Sequence, residues 1–339
     1  MLPELPRELY LHSGPFASVY ADVSRDHQNS PHEIELRWKE LARSLVEQGA
    51  DDADIRAIEE VFTEPMPTGQ AGPAGRAVIA SGGQVRLDVA LPDRPRREIA
   101  RWATLPHVMP LLAQTPEPLP HVVISLGRTS ATVRAVDAGG AVSETSEHAQ
   151  EEGTHKVRGA DRDKQSYTEE VWAKNVREFA RTVDDTVARL HAQLVVITGD
   201  VRARTMLLDE LGERSRSLAA EVDGADPDDT TTDERASGEV EDLLARRAAQ
   251  RTREVLDGVN VAHGRDVGLA ASGLGPVVAA LQQAQVETLV IQDDPSSALE
   301  LWIGPEPGHL AESEQALRTL GAEVLGRDRA DAALVRAAV

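Results

Sequence analysis

Four basic side chains lie close together in one short polar stretch, HKVRGADRDKQSY, which spans residues 155–167 of this chain. They are Lys156, Arg158, Arg162 and Lys164, and Gln165 follows the last of them directly. Clustered ammonium and guanidinium groups can bind the phosphates of RNA, with an affinity that falls as the salt concentration rises. A solvated surface loop without a ligand is the alternative, and charge alone favours neither interpretation.

A second basic stretch, PDRPRREIARW, spans residues 92–102. Its arginines are Arg94, Arg96, Arg97 and Arg101. These side chains could also contact RNA phosphates. A solvated linker face is the favoured alternative, because long basic side chains commonly cover a surface while their charged ends stay in water.

The tripeptide Gly82-Gly83-Gln84 has residue types that could position a water molecule for ester hydrolysis. Two glycines let a backbone enter a narrow reaction centre, and a glutamine amide can hold the attacking water. The sequence around it favours a structural explanation. Apolar residues alternate on both sides of the two glycines, which is typical of a β-hairpin whose turn needs positive φ at both central positions.

Other catalytic patterns are missing from the sequence. There is no cysteine, no HExxH or GxSxG motif, and no GxxxxGK[ST] loop. Asp200 follows an apolar run and is better explained as a helix cap than as a catalytic carboxylate. Gly273 and Gly275 precede a helical pattern and indicate a turn rather than a phosphate cradle. We therefore expect no metal, no cofactor and no conventional active site.

Composition narrows the classes of partner. The 339 residues are 41% hydrophobic and 27% charged, so the chain can bury a core. The formal net charge is -21, which argues against DNA as a partner, although a local basic patch can still contact RNA. The N-terminus lacks a signal-peptide pattern, and no apolar run is long enough to span a membrane. We expect a soluble cytoplasmic protein.

The elements that must hold these residues follow an α/β order. The N-terminal part predicts a strand at 16–23, helices at 30–50 and 51–62, and the hairpin. In the first helix, a buried stripe is predicted from the helical spacing of Ile34, Trp38, Leu41 and Leu45. Residues 92–120 hold seven prolines and are predicted to be extended or loop-like with a short helical piece, as the exit to a linker. The middle part predicts a hairpin at 122–136, a polar stretch, a long helix over 165–192, and strands at LVVIT and SLAAEV. An acidic, turn-rich stretch at 223–239 then predicts a linker or the start of a third domain.

The C-terminal part alternates helices with strands. Helices are predicted at 238–259, 274–285, 312–321 and 329–339, and strands at VETLVIQ, ALELWIG and AEVLG. The fold class is α/β (α+β) with three domains: 1–118, 119–225 and 226–339. The first contains the β-hairpin, and the second and third each have a central mixed β-sheet flanked by helices.

Two segments resemble a known family. Residues 155–190 resemble the middle domain of the archaeal and eukaryotic class I release factors and of Pelota, in which a basic loop precedes a long helix with an aromatic residue and an asparagine (compare Asn175). Residues 273–294, with VETLVI, resemble their third domain. The chain is more specifically similar to the bacterial branch of this superfamily, which includes the Balon-type ribosome hibernation factors.

The chain departs from the family in its two functional motifs. In the family, a Gly-Gly-Gln loop lies just before the long helix, whereas residues 158–161 here are Arg-Gly-Ala-Asp. The Asn-Ile-Lys-Ser motif that reads stop codons is absent as well. The resemblance therefore implies the shape of a factor that occupies the ribosomal A site, without the chemistry of peptide release.

Three functions follow as hypotheses. The leading one is a non-catalytic factor that contacts rRNA in the A site of idle ribosomes during stress or hibernation. By resemblance, domain one would face the decoding centre and domain three would dock an EF-Tu-type translational GTPase. The alternative is an enzyme that hydrolyses peptidyl-tRNA with Gln84 or Gln165. A third is a stress-response interaction module without ribosome contact.

Overall fold

The computed structural model describes residues 7–12, 14–25, 30–64, 74–91, 93–114, 119–127, 130–148, 161–223, 233–264 and 270–339. The strands in these ranges are β1 (Phe16–Asp22), β2 (Gly75–Ser81), β3 (Gln84–Leu91), β4 (Ile99–Ala103), β5 (His121–Leu126), β6 (Ser130–Val136), β7 (Val142–His148), β8 (Leu194–Gly199), β9 (Ala219–Glu221), β10 (Glu300–Ile303), β11 (Leu310–Ala311) and β12 (Gly326–Arg329). The helices are α1 (Arg7–Leu11), α2 (Ser30–Glu47), α3 (Asp52–Phe62), α4 (Met109–Gln114), α5 (Asp161–Leu190), α6 (Val201–Glu210), α7 (Glu213–Ser217), α8 (Asp233–Gly264), α9 (Leu274–Gln282), α10 (Glu314–Thr319) and α11 (Ala330–Ala338). The predicted α/β class is confirmed.

The chain forms two compact units. The middle unit is Glu117–Asn260, and the terminal unit combines Leu5–Pro116 with Val261–Val339. The predicted boundary at residue 118 lies close to the first of these junctions. The predicted boundary at residue 225 has no counterpart among them, since α8 packs with the middle unit. The division into three domains stays a prediction.

One antiparallel sheet organises the N-terminal part of the terminal unit. Its strand order is β3-β2-β1-β4. The helices α2 and α3 cover one face, where Ile34, Trp38 and Leu45 form the predicted buried stripe. The other face packs against α1 and α4. Residues 99–103 belong to this sheet, because β4 pairs with β1 although prolines flank it in sequence, so the exit to a linker predicted there was wrong. The short helical piece predicted in the same stretch is confirmed by α4.

The C-terminal part of the terminal unit contains a second sheet. Its order is β11-β10-β12, and both pairings are antiparallel, so this sheet is not mixed as predicted. The predicted strands VETLVIQ and AEVLG are also wrong, since residues 286–292 and 322–325 have no strand pairing. Both edges of β10 are already occupied by β11 and β12. Val286, Leu289 and Ile291 instead pack their side chains, partly buried, against the core of this part.

The two parts of the terminal unit share a core. Val335 of α11 packs with Phe16 and Tyr20 of β1, and Leu105 packs with Leu301 of β10. Asp328 of β12 adds polar contacts, since its carboxylate accepts hydrogen bonds from the Arg101 guanidinium and from the Leu105 N–H. Segments more than 200 residues apart therefore form one unit.

The middle unit contains the mixed sheet predicted for it. Its strand order is β7-β6-β5-β8-β9, with β5, β8 and β9 parallel and the two other pairings antiparallel. Strand β7 was not predicted, because its polar residues are typical of a loop; it is an exposed edge strand that needs no apolar face. Asp200 caps α6 as predicted, accepting from the backbone N–H groups of Arg202 and Ala203.

Two long helices belong largely to the middle unit. The buried side chains of α5 include Val176, Phe179, Val183 and Val187, which pack against the sheet. The side chains of Val240, Leu243 and Leu244 on α8 pack against Leu194 and Val196 of β8. Within the described ranges, no helix is long and apolar enough to cross a membrane.

Candidate functional site

Gly82 and Gly83 form the turn of the hairpin, as predicted. Their φ angles are +62° and +74°, both in the left-handed region that favours glycine. Gln84 is the first residue of β3, where it pairs with Ser81 of β2. A tight turn between paired strands explains both glycines without a catalytic role.

A buried carboxylate on α3, that of Asp54, forms a hydrogen bond with the turn. The Asp54 side chain is only 1% exposed, and its Oδ1 accepts a hydrogen bond from the Gly83 N–H at 2.5 Å. Burial raises the pKa of this carboxyl, and the Gly82 and Gly83 amides act in the opposite direction. The carboxylate is therefore a structural partner of the turn, since it satisfies backbone donors that strand pairing leaves free.

Replacing Asp54 with alanine should destabilise the terminal unit by about 2 kcal/mol. The reason is that the Gly83 N–H loses its acceptor and the helix loses its contact with the turn. Chemical denaturation followed by tryptophan fluorescence measures this free energy of unfolding. Glu60→Ala, at an exposed position of the same helix, is the control and should change it by less than about 0.5 kcal/mol. Equal stability of the two variants would show that the turn does not depend on the carboxylate.

The basic segment of residues 155–167 is partly included in the structure. Lys156 and Arg158 lie outside the described residues. Arg162, Lys164 and Gln165 lie in the first turns of α5, which begins at Asp161 rather than at the predicted residue 165. The helix therefore begins four residues earlier than predicted, and residues 161–164 are helical rather than part of a loop. The RNA-binding role of these five residues stays a prediction.

The arginine side chains of the second basic stretch lie in two different environments. Nε of Arg94 lies 3.3 Å from Oδ2 of Asp22 and 3.2 Å from Oγ of Ser24, so this side chain joins the end of β1. Arg96 and Arg97 are exposed and line a cavity of about 70 Å³ instead. The structure thus brings Arg96 and Arg97 together and gives Arg94 a structural partner.

The cavity is built from both parts of the terminal unit. From the N-terminal part it is lined by Arg96, Arg97, His107 and Gln114, among others. From the C-terminal part it is lined by Asp293, Pro295 and Arg329. The guanidinium group of Arg329 is held by Asp331, with Nη2 2.6 Å from Oδ2, and by the Ser297 carbonyl at 3.0 Å from Nη1. One wall of the cavity is therefore fixed by hydrogen bonds.

His107 is the buried titratable group of this cavity. Its backbone N–H donates to Oγ of Ser18, and its carbonyl accepts from the Tyr20 hydroxyl at 2.6 Å. Burial lowers the pKa of the imidazole to about 4. The Asp331 carboxylate acts in the opposite direction, and nearby guanidinium groups add to the lowering. The ring is therefore neutral at pH 7, with one nitrogen protonated.

Comparison with known proteins places the chain in a family. Residues 120–265 match the model of the bacterial archaeo-eukaryotic release factors, family 2. The uncharacterised proteins Rv2629 and MT2704 of Mycobacterium tuberculosis are each 30% identical to this chain over 347 residues, an alignment that covers 100% of it and 90% of each relative. This chain belongs to bacterial archaeo-eukaryotic release factor family 2. The resemblance predicted from sequence is thereby confirmed at the level of the superfamily.

Solved structures of archaeal factors are similar to this family member at low identity. The crystal structure of an archaeal translation termination factor has a TM-score of 0.29 and 14% identity, covering 86% of this chain and 84% of that one. A structure of ribosome-bound archaeal Pelota with ABCE1 has a TM-score of 0.37 and 13% identity, covering 84% and 78%.

The family match separates the predicted site residues into two groups. It includes the basic segment and α5, and it excludes Gly82-Gly83-Gln84 together with the arginines of residues 94–97. Gly-Gly-Gln occurs once in the sequence, so the release factor family 2 region of this chain has none. No group of three or more His, Asp or Glu side chains that could hold a metal ion is found within the described ranges.

Sequence reasoning missed the residues that complete the cavity. His107, Gln114 and Arg329 come from a short proline-flanked helix region and from the C-terminal sheet. No motif connects them, because they meet through the tertiary contacts of two distant segments. His107 lies in LPHVMP, and its position between two prolines was the one local sign that the backbone there is constrained.

Proposed function

We propose that this protein is a non-catalytic ribosome-binding factor that occupies the A site of idle ribosomes during stress or hibernation, as Balon-type factors do. The observation that carries the proposal is the family match over residues 120–265, which includes the basic segment 155–167 that extends into the start of α5. Release factors act on ribosomes, so membership in this family gives the ribosome as the first candidate partner.

The charge of the matched region supports contact with rRNA. The segment 155–167 has four basic and two acidic side chains, in a chain whose net charge is -21. A local excess of positive charge in a strongly acidic protein concentrates phosphate binding at one place, because the rest of the surface repels RNA. Lys156, Arg158, Arg162, Lys164 and Gln165 are the residues proposed to contact rRNA.

The position of the Gly-Gly-Gln tripeptide supports a role without catalysis. A release loop must present its glutamine to the ester of peptidyl-tRNA, whereas Gln84 starts a paired strand and Gly83 is bound by Asp54. The residues ahead of α5 have no replacement motif. The function proposed is therefore occupation of the site, which blocks or protects the ribosome and needs no cofactor.

Further partners follow from the resemblance to this superfamily. The N-terminal domain would lie near the decoding centre, where Arg96 and Arg97, which are exposed, would contact RNA as well. The C-terminal domain would dock an EF-Tu-type translational GTPase. A factor of this kind acts in the cytoplasm, and neither a membrane nor DNA is needed as a partner.

Reversing four charges in the basic segment should abolish ribosome binding at physiological salt. The variant carries glutamate at Lys156, Arg158, Arg162 and Lys164. Loss of four phosphate contacts should weaken binding more than a hundredfold and reduce the slope of log affinity against log salt by roughly three. Co-sedimentation with purified 70S ribosomes over a salt series measures both quantities.

The control is a variant with the same change in net charge, made at four exposed positions outside the basic segment 155–167. It carries glutamate at Lys39, Arg43, Arg56 and Arg202. This control should keep the binding and the salt slope of the wild type. An equal loss of ribosome binding in both variants would show that overall charge, not the basic segment, controls the binding. Absence of the wild type from 70S particles in stationary-phase lysate would contradict the proposal. Hydrolysis of peptidyl-tRNA by the wild type would overturn its non-catalytic part.

A further inference from the structure

One edge of the four-stranded sheet in the terminal unit consists mainly of apolar residues. Strand β4 lies at this edge, since the strand order is β3-β2-β1-β4. Four of its five residues are apolar, and all five are half-exposed. The strand at the opposite edge, β3, has charged side chains at Arg86 and Asp88. Charged side chains discourage pairing with another chain, whereas an exposed apolar edge strand favours it. The edge at β4 therefore needs another form of protection.

The Gln48 side chain forms two hydrogen bonds with this edge. Its Nε2 donates to the Ala100 carbonyl at 2.9 Å, and its Oε1 accepts from the Trp102 N–H at 2.9 Å. These two backbone groups flank Arg101 in sequence. A residue of a parallel neighbouring strand, lying opposite Arg101, would form the same two bonds with its own N–H and carbonyl. The Gln48 amide therefore occupies the place of one residue of a neighbouring strand.

The orientation of the Gln48 amide is determined by its partners. Its Nε2 also donates to the Ser44 carbonyl at 3.0 Å and lies 3.2 Å from the Ser44 Oγ. The opposite orientation would set Oε1 against two carbonyl oxygens and the NH2 group against the Trp102 N–H. The bonds to Ala100 and Trp102 would then be lost, because an amide oxygen only accepts and an NH2 group only donates.

The end of helix α2 determines where Gln48 lies. Gln48 directly follows this helix, and Gly49 comes next with a φ of +85°. The Gly49 N–H donates to the Val46 carbonyl at 2.9 Å. The Ala50 N–H donates to the carbonyl of Leu45, a fully buried residue, at 3.0 Å. These two bonds form the Schellman motif that ends many helices at a glycine. The backbone of Gln48 is therefore held beside the β4 edge by the packing of α2.

We propose that the Gln48 side chain blocks the β4 edge against strand pairing with a second copy of this chain. It bonds two of the backbone groups that an incoming strand would use, and it fills the space beside them. A second copy is the relevant partner, because it is the only other source of strands in a solution of the pure protein. The proposal is independent of ribosome binding, since the sheet lies outside residues 120–265 and the test needs no ribosomes.

The first measurement follows hydrogen exchange of the Trp102 backbone amide by NMR in the full-length protein. Isotopic labelling of the four tryptophans gives four backbone amide signals, and a Trp102→Phe variant assigns the one in question. Gln48 is exposed, so Gln48→Ala should fold. In dilute solution, the Trp102 amide of this variant should exchange roughly fivefold faster than in the wild type, because it loses its acceptor. The amide of Trp38, within α2, should exchange equally in both proteins.

The second measurement is sedimentation velocity over a series of protein concentrations. Gln48→Ala should form larger species than the wild type as the concentration rises. Its Trp102 amide should then become protected again, since a strand of the second copy supplies a new acceptor.

Glu47→Ala is the matched control for both measurements. It removes the adjacent exposed side chain, which lies 3.6 Å from Arg43, and it should behave like the wild type. Three results would each overturn the proposal: an unchanged exchange rate of the Trp102 amide in dilute Gln48→Ala, the mass of the wild type at every concentration, or association without renewed protection of this amide.

Discussion

Asp328→Ala is expected to lower the free energy of unfolding of the terminal unit by about 3–5 kcal/mol. The Asp328 carboxylate is 2% exposed and accepts a short hydrogen bond from the Arg101 guanidinium. Its Oδ2 also accepts from the Leu105 N–H at 2.8 Å, and its Oδ1 from the Arg329 N–H at 2.7 Å. The alanine variant would leave a largely buried cation and two backbone donors without their acceptor, which is the costly way to break such a pair.

Tryptophan fluorescence can report this loss from the terminal unit alone. Trp38, Trp102 and Trp302 lie in that unit, and Trp172 lies in the middle unit, so a Trp172→Phe background removes the other signal. Urea denaturation in this background gives the free energy of unfolding. Glu314→Ala is the control, because it removes an exposed pair with Arg318 and should cost less than about 1 kcal/mol.

Asp328→Asn separates the charge from the hydrogen bonds. The amide keeps one acceptor oxygen and loses the ionic attraction to Arg101, so its destabilisation should lie between those of the wild type and the alanine variant. A loss below 1 kcal/mol for Asp328→Ala would mean that the two distant parts of the terminal unit are joined by their apolar contacts alone.

Local patterns in the sequence predicted most elements whose signal is local. Helix α2 followed from the spacing of Ile34, Trp38 and Leu41, and these side chains are buried as expected. The hairpin followed from alternating apolar residues around Gly82 and Gly83. In both cases the residues that determine the element lie within a few positions of each other. A short stretch of sequence is therefore enough to predict the helix or the hairpin.

Elements that depend on distant partners were predicted less well. The apolar segment VETLVIQ has the composition of a strand, yet it pairs with no strand of the C-terminal sheet, whose central strand β10 already has β11 and β12 on its two sides. Strand β7 is the opposite case: its polar sequence is typical of a loop, yet it forms a strand because it pairs with the edge of β6. Whether a segment becomes a strand is decided by the partner it meets, which a short window does not contain.

The candidate sites show the same limit. The basic segment was found because its charges are adjacent in sequence, and the family match includes it. His107 was missed because its neighbours Asp331 and Arg329 lie more than 200 residues away along the chain. Composition shows that a charge exists, whereas folding decides which charges meet.

The His107 imidazole should make the terminal unit less stable in mild acid. Its pKa is about 4 in the folded protein because of burial, and about 6.5 in an unfolded chain. Between pH 6.5 and pH 4 the unfolded chain binds a proton that the folded one does not, so the free energy of unfolding falls as the pH falls. The full effect across this window is roughly 3 kcal/mol, with no contribution above pH 6.5 and no further loss below pH 4.

The measurement compares the wild type with His107→Asn in the Trp172→Phe background, by urea denaturation at several pH values. Asparagine keeps a polar group near the place of Nδ1 and does not titrate, so the difference between the two proteins reports the imidazole together with the groups that it influences. Asp331 is such a group: burial raises the pKa of its carboxyl, whereas the bonds to Arg329 and the charge of His107 lower it, with a net lowering. The difference in free energy should change by roughly 3 kcal/mol between pH 7 and pH 4. A constant difference over this range would show that the pKa of His107 in the folded protein is close to its value in the unfolded chain.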